Sequence, residues 1–270
     1  MSLVDEITGL CDAFSGRAGV CAENLGTHER IEVRANESFP TASAVKVFVL
    51  FALHRAELDL GERFEMTSEH HVLGSGVLSH LAPGLRPTLA DLGVLMMMVS
   101  DNSATNRLIE RLGVERINAA IAEAGLASTH LYGSIDFSKA GTPEGALGTS
   151  TPGDLVRFYA TLVAGELLDA ERTQRMLDVL RIQKYIEPLR RELPADPYAR
   201  EFGEDEPVWV ASKTGSMSGL RAEAGLVHTP RTRWAVAVLT NEGTDRRVTS
   251  DNDGVRLISR VSRLIYDAWS

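Results

Sequence analysis

The sequence predicts an α/β (α+β) fold: an antiparallel sheet built from both chain termini, with an all-helical lobe inserted between its strands. Three observations predict it. An amphipathic run at 4–14 is followed by two β-rich runs at 17–23 and 29–34. Three further β-rich runs, 208–213, 221–228 and 233–240, come late in the chain. The long stretch between carries apolar residues at helical spacing. Strands so far apart share one sheet only if the chain between them forms a layer of its own. The 270 residues are therefore read as one domain, with a sheet lobe at 1–40 plus 206–270 and a helical lobe at 41–205.

The turn signal at 24–27 makes the first two strands a hairpin. After Pro40, the run 44–60 is strongly apolar and reads as a buried helix with Ser43 at its mouth. Runs 89–99 and 104–112 read as two helices broken at 100–103, and Met96, Met97 and Met98 belong to the core of the first. Residues 133–152 are rich in glycine and small polar residues and read as a loop. Helical spacing returns at 154–164, at 170–186 and finally at 255–269, an amphipathic closing helix.

Composition bounds the function. The net charge of −9 argues against general attraction to nucleic acid or an anionic membrane and leaves a small molecule as the expected partner of a monomer. No apolar run approaches the roughly 20 residues that span a bilayer. The first residues lack the basic-then-apolar pattern of an export signal, so the chain as given is expected in the cytoplasm, or in the periplasm or medium if a signal has been removed. Two cysteines, Cys11 and Cys21, are too few for a disulfide framework and read as small buried apolar residues. His70, His71 and His80 lack the carboxylate spacing of a metal site, so no metal or other cofactor is expected.

Arginine is the default cation: of the 28 Lys plus Arg only Lys46, Lys139, Lys184 and Lys213 are lysine. Lysine matters where a compact charge or a deprotonatable amine is needed, because arginine stays protonated. Ser43 and Lys46 stand three residues apart at a helix start, so hydroxyl and amine share a face and can touch. A partly desolvated amine can then take the serine proton. Ser100-Asp101-Asn102, in the break between helices, offers a second hydroxyl to relay a proton, an amide to hold a substrate amide, and a carboxylate to brace the loop. The same tripeptide recurs at Ser250-Asp251-Asn252, where it reads as a helix-start signal. Lys213-Thr214-Gly215-Ser216 ends a strand: Lys213 and Thr214 suit a substrate carboxylate, Gly215 permits close backbone approach, and Ser216 N with Ser43 N can form an oxyanion hole.

Taken in this order, the three motifs resemble those of the penicillin-recognising active-site-serine enzymes, the class A β-lactamases and penicillin-binding proteins. The resemblance covers most of the chain and implies a β-lactamase/transpeptidase-like fold and an acyl-enzyme on Ser43, with β-lactam hydrolysis as the leading activity. A slowly deacylating esterase or peptidase, or a β-lactam-binding sensor, is the alternative. The family's deacylating glutamate precedes an L-N pair and a T-T-x-P-like helix start. Here Glu144-Gly145-Ala146-Leu147-Gly148 lies unusually close to Pro152, with glycine replacing asparagine, which leaves Glu144 and Asp136 as the loop carboxylates that could serve. Arg221 lies near the family's carboxylate-binding arginine; Glu223, sharing its strand face, makes a structural ion pair the other reading.

Overall fold

The computed structural model describes residues 2–139, 142, 145, 147–184, 188–196 and 198–270. Helix α1 (Leu3–Ala13) starts at a capping box in which Ser2 and Asp5 bind each other's backbone N–H. Strands β1 (Arg17–Asn24) and β2 (Arg30–Val33) form the hairpin, whose turn is held by Asn24 Oδ1 accepting from Gly26 N and Thr27 N. After β3 (Phe39–Pro40), a 3₁₀ turn over Ala42–Val45 runs into α2 (Lys46–Arg55). The helical lobe continues with α3 (Leu89–Met98), α4 (Asn102–Leu112) and α5 (Val114–Glu123). Short strand β5 (Gly148–Ser150) pairs on one side with β3 and on the other with β4 (His130–Leu131), making a small second sheet. Then come α6 (Pro152–Val163), opened by Thr151 and Pro152, and α7 (Ala170–Arg181), capped by Asp169. Strands β6 (Trp209–Met217), β7 (Leu220–His228) and β8 (Arg233–Asn241) lead to α8 (Asp253–Trp269).

The main sheet is antiparallel in the order β2-β1-β8-β7-β6, so the N-terminal hairpin docks on the last strand and β6 is left at an edge. Alternation along β8 separates two cores. Trp234, Val236 and Val238 meet Ile7 of α1 and Ile258, Val261 and Ile265 of α8. Ala235, Ala237 and Leu239 face the helical lobe, where Phe48, Phe51, Phe158 and Tyr159 stack edge-on. Cys11 and Cys21 are buried unpaired thiols in opposite cores, and burial pushes each up to about 11. Among the described residues, no helix is long and apolar enough to cross a membrane.

Several boundaries differ from the sequence reading for tertiary reasons. The helix expected over 44–60 begins as a 3₁₀ turn and stops at Arg55. Beyond it Leu60 O and Glu62 O accept from Ala90 N and Leu89 N, tying this segment to the start of α3. The helix expected to reach 186 ends at Arg181, and α5 is an unanticipated helix. The 133–152 segment is not wholly loop, since it contributes β5. His70 and His80 lie in 3₁₀ turns. The second Ser-Asp-Asn does start a helix, with Asn252 Oδ1 accepting from Gly254 N.

Candidate active site

Ser43 lies in the 3₁₀ turn, directly after Ala42, whose φ of +45° is left-handed backbone that non-glycine residues rarely adopt. In a 3₁₀ turn residues three apart eclipse, which sets Lys46 on the face of Ser43. The side chains do not bond to each other among the described contacts. Lys46, fully buried, reaches across to the α3–α4 break, where Nζ donates to Ser100 O (2.7 Å), Ser100 Oγ (3.1 Å) and Asn102 Oδ1 (3.0 Å). Burial holds its amine well below the usual lysine range, the charge of Lys213 pushes in the same direction, and Asp101 opposes both. The amine can therefore shed its proton readily, and Ser100 is the hydroxyl it touches. Ser43, Ser100, Thr214, Gly215 and Ser216 line one cavity of about 310 Å³.

The break is shaped by Asp101, which does brace backbone: Oδ2 accepts from Val77 N and Leu78 N, while Oδ1 caps α4 at Ala104 N. Ser100 is held at φ +52°. The Asn102 amide is partly committed inside the protein, its Oδ1 to Lys46 and its Nδ2 to Leu73 O at 2.8 Å, so one Nδ2 hydrogen remains to offer a ligand.

The Lys213-Thr214-Gly215 motif sits inside β6 rather than at its end, in register with Ala224, Glu223 and Ala222 of β7. Its outer edge faces the serine. A Cβ on Gly215 would stand 2.1 Å from Thr41 O, 2.8 Å from Ala44 N and 3.1 Å from Ser43 N, so only glycine allows the strand this close. Thr214 N donates off the sheet to Gln183 Oε1 (3.2 Å); two residues on, Ser216 N points the same way by the strand's two-residue repeat. Ser43 N borders the same edge, 3.1 Å from where a Gly215 Cβ would stand, which leaves Ser216 N and Ser43 N as the candidate oxyanion-hole donors. Gln183 had no signal in the sequence, because it lies outside every motif and reaches the site only through the end of α7.

The sequence pattern of the beta-lactamase enzyme family matches residues 2–269. The chain belongs to that family. It is similar to an imipenem-hydrolyzing beta-lactamase from Enterobacter cloacae, at 28% identity over 61% of this chain and 58% of that protein. The chain thus spans under two thirds of the length of that curated relative. Over whole chains it is similar to the crystal structure of a beta-lactamase from Sphaerobacter thermophilus (TM-score 0.87, 29% identity, 98% of this chain and 96% of that one). It also resembles a point mutant of PBP-A solved as an acyl-enzyme complex with penicillin G (TM-score 0.80, 27% identity, 98% and 95%).

In this beta-lactamase-family chain, Arg221 and Glu223 do not pair with each other among the described residues. Arg221 Nη1 donates to Met217 O and Leu220 O, and Nη2 to Arg247 O, fixing a largely buried cation in the cavity wall. Glu223 is fully buried, accepting from Ser212 Oγ (2.6 Å) and Leu189 N (2.8 Å). Burial pushes it up to about 7, against the pull of those two hydrogen bonds and of Arg190 and Lys213. A carboxyl whose folded value lies above its ordinary 4.5 contributes stability that is fully present below pH 4.5 and lost as pH rises towards about 7. Glu223→Gln should flatten that window. Urea unfolding at pH 5 and pH 8 should show the native protein losing on the order of 2 kcal/mol more than the variant; equal losses would contradict the assignment.

Asp136 is exposed, and its carboxylate accepts from Ser138 N and Oγ, which holds it below the usual range; it bonds to none of Ser43, Lys46 or Ser100 among the described residues. Glu144 lies outside the described residues. Two ties the motifs did not announce hold the loop: Asn106 clasps Ile135 through N and O, and Gly148 O accepts from Thr41 N and Oγ1. No cluster of metal-ligating side chains occurs among the described residues.

Proposed function

We propose that this chain is a serine hydrolase acting on β-lactams and, most directly, a class A-like β-lactamase. The observation that carries the reading is the buried Lys46 amine, depressed in basicity and joined to Ser100 Oγ, behind a cavity that also holds Ser43 and the Gly215 edge. Ser43 Oγ attacks the lactam carbonyl and its proton passes to Lys46. Ser216 N and Ser43 N stabilise the oxyanion. Ser100 delivers the proton to the leaving nitrogen, which opens the ring and leaves an ester on Ser43. Lys213 and Thr214 hold the substrate carboxylate, Arg221 adds positive potential in the wall, and the remaining Asn102 N–H receives the acyl amide. Family membership and the named activity of the relatives support the same reading. The protein is proposed to work as a monomer without a cofactor.

A slowly deacylating, penicillin-binding reading is favoured by one feature of the loop. Gly148 has no side chain to position a water, and Asp136 is turned to Ser138. Glu144 is then the remaining loop acid for that step. Two measurements decide. Intact-mass spectrometry should find a penicillin-sized adduct in the native protein and none in Ser43→Ala. A chromogenic cephalosporin should be hydrolysed over many turnovers per enzyme if deacylation is fast; a stoichiometric burst with no turnover identifies the slow acceptor instead. Absence of both adduct and turnover across penicillins and cephalosporins would sink the hydrolase reading.

A further inference from the structure

Three donors of the anion-binding strand converge on one oxygen that belongs to the protein. Gln183 Oε1 accepts from Lys213 Nζ (3.1 Å), Thr214 N (3.2 Å) and Thr214 Oγ1 (2.9 Å). The amide orientation is fixed by chemistry, since the flipped form would set an NH₂ against three donors. Gln183 is buried, and its Nε2 is buried with no hydrogen-bond partner among the described residues. An unmet buried donor carries a cost that packing alone does not explain.

The segment here is anchored on both sides independently of the amide. Lys184 N donates to Met98 O (2.9 Å), at the end of α3 two residues before Ser100. On the other side, Arg181 lies 4.7 Å from the centroid of the Trp209 ring at the start of β6. Gln183 therefore stands between the element that carries Ser100 and the edge that carries Lys213 and Thr214.

We propose that Gln183 is a specificity-determining positioning residue: its amide oxygen keeps Lys213 Nζ and the Thr214 donors focused on the point where a substrate carboxylate is recognised. This rests on the hydrolase reading above. A carboxylate needs several donors aimed at one place, and donors already held there lose less freedom on binding. In the unliganded site Gln183 supplies a neutral oxygen that preserves this aim without adding a competing charge.

The test compares a chromogenic cephalosporin with the methyl ester of the same compound, which lacks the carboxylate charge. Gln183→Leu should raise KM for the carboxylate about tenfold while changing kcat less than about twofold, and leave the ester unaffected. Gln183→Glu keeps an acceptor for all three donors, which guards against a folding failure, but sets a negative charge beside the bound carboxylate. It should raise KM for the carboxylate by more than Gln183→Leu does and again spare the ester. A merely structural residue would be silent in Gln183→Glu or would shift both substrates alike. Either of those results, or a lowered KM in Gln183→Leu, overturns the proposal. Calorimetry of intact benzylpenicillin on Ser43→Ala with and without Gln183→Leu reads the same role without turnover: Kd about tenfold higher supports it, and unchanged Kd overturns it. If the native protein is not acylated, the hydrolase reading fails, while this calorimetric comparison still decides Gln183.

Discussion

Lys46→Met should lose acylation by penicillin at least about a thousandfold, measured as the rate of adduct formation by rapid-quench mass spectrometry. The side chain is fully buried among Ser100 O, Ser100 Oγ and Asn102 Oδ1, so methionine fills the space but removes the amine that contacts Ser100. Lys46→Arg should be nearly as inactive despite its charge, because a guanidinium does not give up a proton to become a base. The native pH profile carries the complementary expectation. Burial, and the neighbouring charge of Lys213, lower the amine well below its ordinary 10.5. Acylation should accordingly rise with pH through an apparent ionisation well below that value and then level off. A profile still climbing near pH 10.5, or an active Lys46→Arg, would remove Lys46 from the role of base.

Gly215→Ala should have the second largest effect, lowering kcat/KM on a chromogenic cephalosporin about a hundredfold or more. The added methyl would meet Thr41 O, Ala44 N and Ser43 N, which are backbone atoms of the turn that carries the nucleophile. They cannot swing aside as a side-chain tip can, so β6 must retreat from Ser43, taking Ser216 N and Thr214 with it. The overpacking should also cost about 1–3 kcal/mol, visible as a lower Tm. Gly9→Ala is the control: its Cβ meets nothing within 4 Å, and it should leave activity unchanged. An active Gly215→Ala would mean that the strand and the serine are not held as closely as this geometry requires.

The legible part of the site is the part whose chemistry is local. Ser43 with Lys46, Ser100 with Asn102, and Lys213 with Gly215 each lie within a few residues of one another, so spacing on a turn, loop or strand announces them. Asp101 as a brace and Asn252 as a cap were readable for the same reason, since capping is a contact over two or three residues. The expected touch between Ser43 and Lys46 was not, because the amine's partners lie 54 and 56 residues on, at Ser100 and Asn102. Arg221 likewise shares a strand face with Glu223, yet its donors are claimed by carbonyls of the neighbouring turn and of Arg247.

By itself, then, the sequence determined the strands of the main sheet, most of the helices between them, the two-ended sheet and the three motifs, because periodicity and short-range spacing are properties of the chain. The tertiary structure alone decided that Gln183 focuses on the Lys213–Thr214 edge, that Glu223 is buried beneath it against Leu189 N, and that Gly215 lies against Ser43 N. The physical reason is burial. Hydrogen-bond partners, desolvation and close backbone approach arise only when distant segments exclude water together, and no pattern within a single segment encodes which segments those are.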